Sequence, residues 1–503
     1  MELPVLTALI ALPALTAAVL ALVPADNRAA LRTVAMAGAL ATFAVSLVVL
    51  VRFVPQAGFQ MRESAPWIPQ WGIGYRLGID GVSLFLVVLT AFVMPLIILA
   101  AWEQTTRVKG FFASLLALEA TLIGVFVALD LLLFYLFFEI MLVPMYALIG
   151  IWGGANRRYA AIKFFLYTLV GGFLMLVAIL YLYFQPGGGT FAYEPLLDVA
   201  RNLGRTEQTL LFLCFFAAFA IKVPLFPVHT WLPDAHTEAP TAGSVILAAV
   251  MLKIGGYGFL RFSLPMFPDA TSRLAPIILA LGVIGVLYGA LVAMMQRDIK
   301  KLVAYSSVAH LGFVVIGVFA LHPTGASGSV VQMVNHGLST GALFLLIGFL
   351  YDRTHSRLIA DYSGLMRAVP VFGGLFLFTV MSSVALPGLN GFVGEFPILL
   401  GSYQTAPWAA VLAAFGVIFA AIYLLWAYQR MFHGPVEGRS VGLADLNVRE
   451  IAVMVPLVLL MLGIGLYPKP IYDRVNPSVD AIVGQARAGA DLPDIAAVGE
   501  GDE

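Results

Sequence analysis

Long apolar stretches, separated by short polar segments, recur along almost the whole chain. A helix that crosses a bilayer needs about 20 consecutive, mostly apolar residues. By this criterion the sequence predicts an all-α polytopic membrane protein with about fourteen transmembrane helices. The predicted helices cover roughly residues 3–23, 31–53, 81–101, 110–129, 131–151, 160–184, 209–230, 240–261, 274–295, 300–321, 328–350, 371–402, 407–431 and 449–468.

Two of the predicted spans are interrupted by proline, the first at Pro224 and the second at Pro387. Proline removes a backbone donor and clashes with the preceding turn, so each helix is expected to break there. Matching broken helices in two halves of a membrane protein predict inverted repeats with an ion site at the breaks. The expected division is 1–105 for helices 1 to 3, 106–262 for a first repeat of helices 4 to 8, 270–432 for a second repeat of helices 9 to 13, and 445–503 for helix 14 and a C-terminal tail.

Composition supports the membrane assignment and excludes several functions. Hydrophobic residues make up 61% of the 503 residues and charged residues 11%, against about 25% charged in ordinary soluble domains. The single cysteine, Cys214, and the absence of CxxC motifs predict no disulfide framework, iron–sulfur cluster or haem in this chain. No nucleotide-binding loop is evident, and nothing predicts a nucleic-acid partner. Energy is therefore expected from an ion gradient or a partner protein.

The distribution of lysine and arginine predicts the orientation. Loops after odd-numbered helices are rich in these residues, Lys300 and Lys301 among them, so we expect those loops in the cytoplasm. Both termini are then expected on the opposite, periplasmic side. The N-terminal segment lacks the basic start of a secretory signal and is long enough to span, so it is interpreted as a retained first helix. We expect a multi-pass protein that is located in a bacterial inner membrane.

Three charged residues inside predicted spans stand out. Glu139 is in the middle of an apolar helix, Lys222 directly precedes the first break, and Lys253 lies in the helix after it. A lysine at a helix centre costs roughly 2.5–3.5 kcal/mol, so such residues are functional candidates that usually have a partner. A nearby carboxylate raises the pKa of a lysine while burial lowers it, so a movable charge on Glu139 would switch the proton on Lys222. A fixed structural ion pair is the alternative.

Polar residues also follow one face of the eleventh predicted helix. The helical spacing of this stripe predicts that it faces protein or water rather than lipid. The stripe consists of Gln332, Asn335, His336, Ser339 and Thr340. His336 is a candidate proton relay, because imidazole titrates near neutral pH, although a lone buried histidine is more often a structural hydrogen-bonding group. His310 on helix 10 is expected between Lys253 and His336, and Glu395 follows the second break.

Other polar residues allow different interpretations. His229, Asp234, His236 and Glu238 suggest a metal site, but three prolines and the expected loop position favour a structured loop, and no metal is predicted. Glu119 is a further acid within a span whose place the sequence does not fix. The predicted proton-translocation set is Glu139, Lys222, Lys253, His310, His336 and Glu395.

The segment from Lys222 through His229-Thr-Trp-Leu-Pro-Asp-Ala-His236 to Lys253 resembles the antiporter-like proton-channel subunits of respiratory complex I and their Mrp-type antiporter relatives. The likeness extends over nearly the whole chain. Three further segments resemble the subunit M branch, the counterpart of mitochondrial subunit 4. They are Phe138-Glu139-Ile-Met-Leu-Val-Pro-Met, Leu302-Val-Ala-Tyr-Ser-Ser-Val-Ala-His310 and Asn390-Gly-Phe-Val-Gly-Glu395-Phe. Sister subunits are expected to carry lysine where this chain has Glu395.

The resemblance implies a division of roles. Glu139 and Lys222 would form a modulating pair, Lys253 and the two histidines a central hydrated axis, and Glu395 the gate of a second half-channel. It also implies quinone reduction in partner subunits that hold FMN and iron–sulfur clusters, with no redox chemistry in this chain. A subunit of an Mrp-type Na⁺/H⁺ antiporter is the main alternative. A membrane scaffold without transport is the third, and it does not explain six aligned ionisable residues.

Overall fold

The computed structural model describes residues 4–492, and most of them are helical. The first part of the chain forms five long helices, and a β-hairpin follows the second of them. These helices are Val5–Leu22, Arg28–Arg52, Gly81–Ala100, Val108–Val127 and Leu131–Trp152. The helical ladder of the last one is irregular at Met141. Its first turn is capped by Asp130, whose carboxylate accepts hydrogen bonds from two backbone amides.

The middle of the chain contains the first broken helix. The helices here are Arg157–Tyr183, the short Tyr193–Arg201, the first broken helix with halves Arg205–Lys222 and Trp231–Glu238, and Thr241–Met266. The break falls where the sequence predicts it, directly after Lys222. The expectation of a structured loop over residues 229–238 is wrong, because residues 231–238 form the second half of this helix. Pro233 fits there because the amides of a first helical turn need no partner within the helix.

The second half of the chain also consists mainly of long helices, one of which is broken. Its helices are Pro268–Met294, Ile299–Phe319, Pro323–Thr354, the second broken helix with halves Pro370–Ser383 and Asn390–Thr405, and Pro407–Phe432. The second break, over residues 384–389, contains Pro387 as predicted. Glu395 therefore follows its break, whereas Lys222 precedes the first one.

The C-terminal part is more ordered than the sequence indicates. The span Val448–Leu466 is followed by the helix Lys469–Gly489, where we expected only a tail. This helix buries an apolar stripe that includes Ile471, Val475 and Val479. Its Tyr472 hydroxyl donates to the backbone oxygen of Val393 at 2.7 Å. The helix is thereby fixed to the half-helix that carries Glu395.

Strands are few in the described residues. Gln60–Ile68 and Ile73–Ile79 form an antiparallel hairpin, and the two-residue strands Tyr362–Ser363 and Glu437–Gly438 pair antiparallel. A one-turn helix, Leu365–Ala368, follows the third strand. The predicted all-α polytopic class is confirmed, with the hairpin as an addition that the sequence did not indicate.

Within residues 4–492, twelve helices are long and apolar enough to cross a membrane. The two broken helices supply the other two predicted spans. They fall outside this count because Arg205–Lys222 holds three charged residues and the second broken helix has two short halves. The total of fourteen and the division into repeats stay predictions.

Burial separates a central layer from a peripheral one. The apolar segments of Thr241–Met266 and Pro323–Thr354 are completely buried, and that of Ile299–Phe319 is 94% buried. The first two helices of the chain are only 28% buried. The three central helices carry Lys253, His310 and His336, so these residues face protein on every side.

Candidate functional site

The break after Lys222 is fixed by hydrogen bonds on both of its sides. The Leu225 amide donates to the Ala220 oxygen at 2.8 Å, which ends the helix early. Beyond the break, the Trp231 indole donates back to the Ile221 oxygen at 2.9 Å. Lys222 is therefore the last residue of this half-helix, and the hydrogen bonds on both sides of the break fix the position of its backbone.

The ammonium group of Lys222 lies among aromatic rings. Its side chain is 1% exposed, and Nζ has no hydrogen-bond partner within the described part of the chain. Nζ is 4.9 Å from the ring centroid of Phe138 and 5.6 Å from that of Phe164. A cation over an aromatic face is attracted by the ring, so these two rings form a cradle for the charge.

Glu139 is adjacent to Phe138 in the chain but makes no ion pair with Lys222. No carboxylate oxygen of the described residues lies within 4.0 Å of the Lys222 ammonium. Oε1 of Glu139 is buried without a hydrogen-bond partner among residues 4–492. It packs against the backbone of the helix Arg157–Tyr183 at Gly172. The structure thus places the acid and the lysine in one neighbourhood, but apart.

Lys253 lies between two π-helical turns of its helix, residues 247–251 and 259–263. Such turns are rare and frequently occur at functional sites. The Lys253 ammonium donates to the Ala248 oxygen, and Nζ is 2.7 Å from Nδ1 of His336. Lys253 is completely buried, so this imidazole is a principal partner of its charge.

His336 in turn faces His310. The two ring centroids are 5.8 Å apart, with the ring planes inclined at 60°. The Nε2 atoms of both rings are buried and have no partner in the part of the chain that the structure describes. The series of side chains in contact is therefore interrupted by a gap between His336 and His310. Each of the two rings has one nitrogen without a partner among the described residues.

The series ends at Glu395. Nδ1 of His310 lies 2.7 Å from Oε1 of Glu395, and the Gln332 amide donates to the same oxygen at 2.8 Å. Close approach is possible because Gly394 packs directly against the Gln332 side chain. One turn further, the Asn335 amide donates to the Asn390 oxygen at 2.6 Å. The polar stripe of Gln332, Asn335 and His336 thus faces protein, as the sequence predicts.

The order of the groups in space differs from the expected one. The contacts run from Lys253 to His336, then across the gap to His310, and then to Glu395. The prediction that His310 lies between Lys253 and His336 is wrong. The helix Ile299–Phe319 packs beside the second broken helix, and this tertiary contact brings His310 to Glu395.

Two buried groups were missed as parts of the site. His236 is completely buried, stacks on Phe344 with ring centroids 4.5 Å apart, and has no partner on either nitrogen within the described residues. Lys300, counted with the cytoplasmic loop residues, lies in the first turn of the helix Ile299–Phe319 and is 8% exposed. Its ammonium donates to the Ala239 oxygen at 2.6 Å. A histidine inside a proline-rich segment gave no periodic signal that would have revealed it.

Lys300 lines an open cavity of about 540 Å³ at one end of the bundle. Charged residues of both signs surround this cavity, namely Glu103, Glu238, Lys300, Asp352, Arg357 and Arg449. At about 30 Å³ per water, the cavity offers room for many water molecules next to a lysine that is otherwise enclosed by protein.

The remaining polar candidates lie apart from the series that runs from Lys253 to Glu395. Asp234 pairs with Lys163 at 2.7 Å, and Glu238 accepts the Asn156 amide at 2.9 Å. Within residues 4–492 no three His, Cys, Asp or Glu side chains are grouped to hold a metal ion. Glu119 is completely buried on the helix Val108–Val127, and neither of its carboxylate oxygens has a partner in the described chain.

Comparison with known proteins gives consistent matches. The family described as NADH:quinone oxidoreductase/Mrp antiporter, TM matches residues 128–421. NADH-quinone oxidoreductase subunit M of Rhodobacter capsulatus is 49% identical over 94% of this chain and 95% of its own length. A chain of respiratory complex I from Thermus thermophilus with bound NADH has a TM-score of 0.89 and 35% identity, with 96% and 100% of the two chains covered.

A chain of the Mrp complex from Dietzia has a TM-score of 0.80 over 97% of this chain and 52% of its own, at 23% identity. At that identity the likeness shows the fold alone. The broken helices and the buried acids, lysines and histidines define a multi-pass membrane protein of the antiporter-like class. The chain belongs to the NADH:quinone oxidoreductase/Mrp antiporter family, among the relatives named NADH-quinone oxidoreductase subunit M.

Proposed function

We propose that this chain is a proton-translocating membrane subunit of an NADH:quinone oxidoreductase. The support is the 49% identity, over nearly the full length, to a protein named as a subunit of that enzyme. The 35% identical chain of similar fold is part of a respiratory complex I. The Mrp-type alternative has weaker support, because that likeness rests on the fold.

The proposed route uses the six ionisable residues that the sequence singles out. The observation that carries it is the pair of contacts at 2.7 Å, Lys253 to His336 and His310 to Glu395, between side chains that are all buried. Groups that accept and release protons, placed within hydrogen-bonding distance, can pass a proton from one to the next. Glu139 and Lys222 would set when the first transfer occurs, since a nearby carboxylate favours the protonated lysine.

The energy for transport would come from partner subunits. FMN, iron–sulfur clusters and quinone would be bound there, and this chain would respond electrostatically to quinone reduction. Other antiporter-like membrane subunits are the proposed neighbours within the bilayer. We propose a bacterial inner membrane as the location, because the relatives include the Rhodobacter capsulatus protein. The lysine and arginine distribution supports both termini on the periplasmic side. The two proposed repeats, 106–262 and 270–432, would each contribute one half of the route.

Lys222→Ala in the assembled complex tests this function. We expect normal assembly on native gels, with NADH:quinone reductase activity and proton pumping both strongly reduced. Lys469→Ala is the matched control, because Lys469 is exposed and pairs with Asp473 at the surface. Normal activity and pumping in Lys222→Ala would refute the proposed route. Activity that requires sodium ions would favour the Mrp-type alternative.

A further inference from the structure

Two adjacent glycines of the helix Arg157–Tyr183 face different neighbours. A Cβ added to Gly172 would lie 1.6 Å from Oε1 of Glu139 and 2.8 Å from its Cδ. A Cβ added to Gly171 would instead meet the backbone of Ala218 at 3.0 Å. Gly171 therefore allows two helices to pack, whereas Gly172 makes room for a carboxylate. We refer to the space over Gly172 as the Gly172 notch.

The same helix also contributes to the surroundings of Lys222. Phe164 lies two turns before Gly172, and side chains at this spacing lie on one face of a helix. The Phe164 ring and the Phe138 ring form the cradle for the Lys222 ammonium. One helix face thus contacts both members of the acid–lysine pair.

Neither charge is satisfied by the other in this arrangement. Oε1 of Glu139 and Nζ of Lys222 both have no hydrogen-bond partner within the described residues. The carboxylate rests in the Gly172 notch and the ammonium lies over two rings. An ion pair between them requires the Glu139 side chain to leave the notch or the Lys222 side chain to leave the cradle.

We propose that Gly172 is a positioning residue whose open notch holds the Glu139 carboxylate away from Lys222 and so stabilises the separated state of the pair. This inference rests on the proposed function and adds a residue to it. With the notch open, the pair can alternate between separation and contact. With the notch filled, the carboxylate is displaced from the face of the helix and the separated state is lost.

Gly172→Ala in the assembled complex tests the proposal. We expect normal assembly but a fall of about tenfold or more in coupled proton pumping, since displacing a reacting group by an ångström can cost about a hundredfold in rate. Gly171→Ala is the matched control on the same helix. Its Cβ would meet Ala218 at 3.0 Å and the Ile221 side chain at 3.1 Å without touching Glu139, so it reports the effect of tighter packing alone, and pumping should fall less than in Gly172→Ala.

A second variant separates positioning from packing. Aspartate is one methylene shorter than glutamate, so Glu139→Asp combined with Gly172→Ala should relieve the clash and pump better than Gly172→Ala alone. If Gly172→Ala fails to assemble, recovery of both assembly and pumping in the double variant supports the notch. Normal pumping in Gly172→Ala, or no rescue of pumping by Glu139→Asp, would overturn it. If Lys222→Ala loses pumping while Gly172→Ala pumps normally, the role of the Gly172 notch is refuted and the proposed function still stands.

Discussion

Arg261 and Asp80 form an ion pair with a shortest distance of 2.5 Å and with both side chains at least 96% buried. Arg261 lies two turns after Lys253 in the same helix, and Asp80 caps the helix that begins at Gly81. The Arg261 guanidinium also lies 4.6 Å from the ring centroid of Phe59. The pair thus fastens the helix of Lys253 to the start of the third helix.

Asp80→Asn should therefore destabilise the assembled subunit. It leaves the Arg261 charge buried without a counter-charge, which costs about 3–5 kcal/mol. We expect less complex on native gels and a lower melting temperature. Adding Arg261→Gln removes the lone charge and should recover part of the loss. Glu194→Gln, at the exposed pair with Arg62, is the control and should cost about 1 kcal/mol or less. A single Asp80→Asn variant as stable as the wild type would contradict this account.

Glu395→Gln should block proton transfer while keeping the shape of the site. Glutamine can still accept the Gln332 hydrogen bond, but it cannot take a proton from His310. Removal of a positioned proton-transfer group costs about a hundredfold or more in rate, so pumping should fall accordingly. Glu395→Asp should retain more activity than Glu395→Gln. Glu437→Gln at the exposed strand Glu437–Gly438 controls for general effects. Equal pumping in the Gln and wild-type forms would exclude Glu395 from the route.

The sequence predicts the spans and both breaks well, because apolar length and proline act locally. It does not predict the order of the two histidines, because that order depends on which helices pack together. His310 meets Glu395 only through the contact of Ile299–Phe319 with the second broken helix. Likewise, nothing in the chain around Gly172 indicates that Glu139 lies against it.

Two elements escaped the sequence analysis for a different reason. The helix Lys469–Gly489 is polar on one side, so a search for apolar spans passes over it. The hairpin over residues 60–79 contains Arg62, Glu63 and Arg76 and gives no span signal either. Both elements pack against helices, and the hydrogen bond from the Gly81 backbone amide to the Ser478 hydroxyl joins the C-terminal helix to the third helix.

His336→Phe should interrupt the route at its centre. Phenylalanine preserves a flat ring of similar size, but it removes the nitrogen that lies 2.7 Å from the Lys253 ammonium and the free Nε2 that faces the gap. We expect the complex to assemble and its pumping to fall about a hundredfold or more, since a relay group is lost. His355→Phe is the control, because His355 is exposed at the end of the same helix. Unchanged pumping in His336→Phe would show that protons bypass this ring.

Lys300→Met should loosen the second half of the first broken helix. The helix Trp231–Glu238 ends in carbonyls that two cations bind, with Lys300 donating to Ala239 and Arg357 to Thr237. Both cations come from the second half of the chain, and cations stabilise the C-terminal end of a helix. A hydrogen bond from a charged donor contributes about 1.5–3 kcal/mol, so the amides of residues 231–240 should exchange hydrogen about tenfold faster or more in Lys300→Met. Hydrogen–deuterium exchange with mass spectrometry measures this directly.

Lys301→Met provides the matched control for that experiment, because Lys301 is the neighbouring residue and is partly exposed. Exchange over residues 231–240 should be unchanged in it. If the exchange in Lys300→Met also stays at the wild-type rate, the Ala239 contact does not stabilise the half-helix. If the exchange rises and pumping falls with it, the second half of the chain controls the mobility of the helix that carries His236. The cation at Lys300 would then link the two halves mechanically as well as lining the cavity beside it.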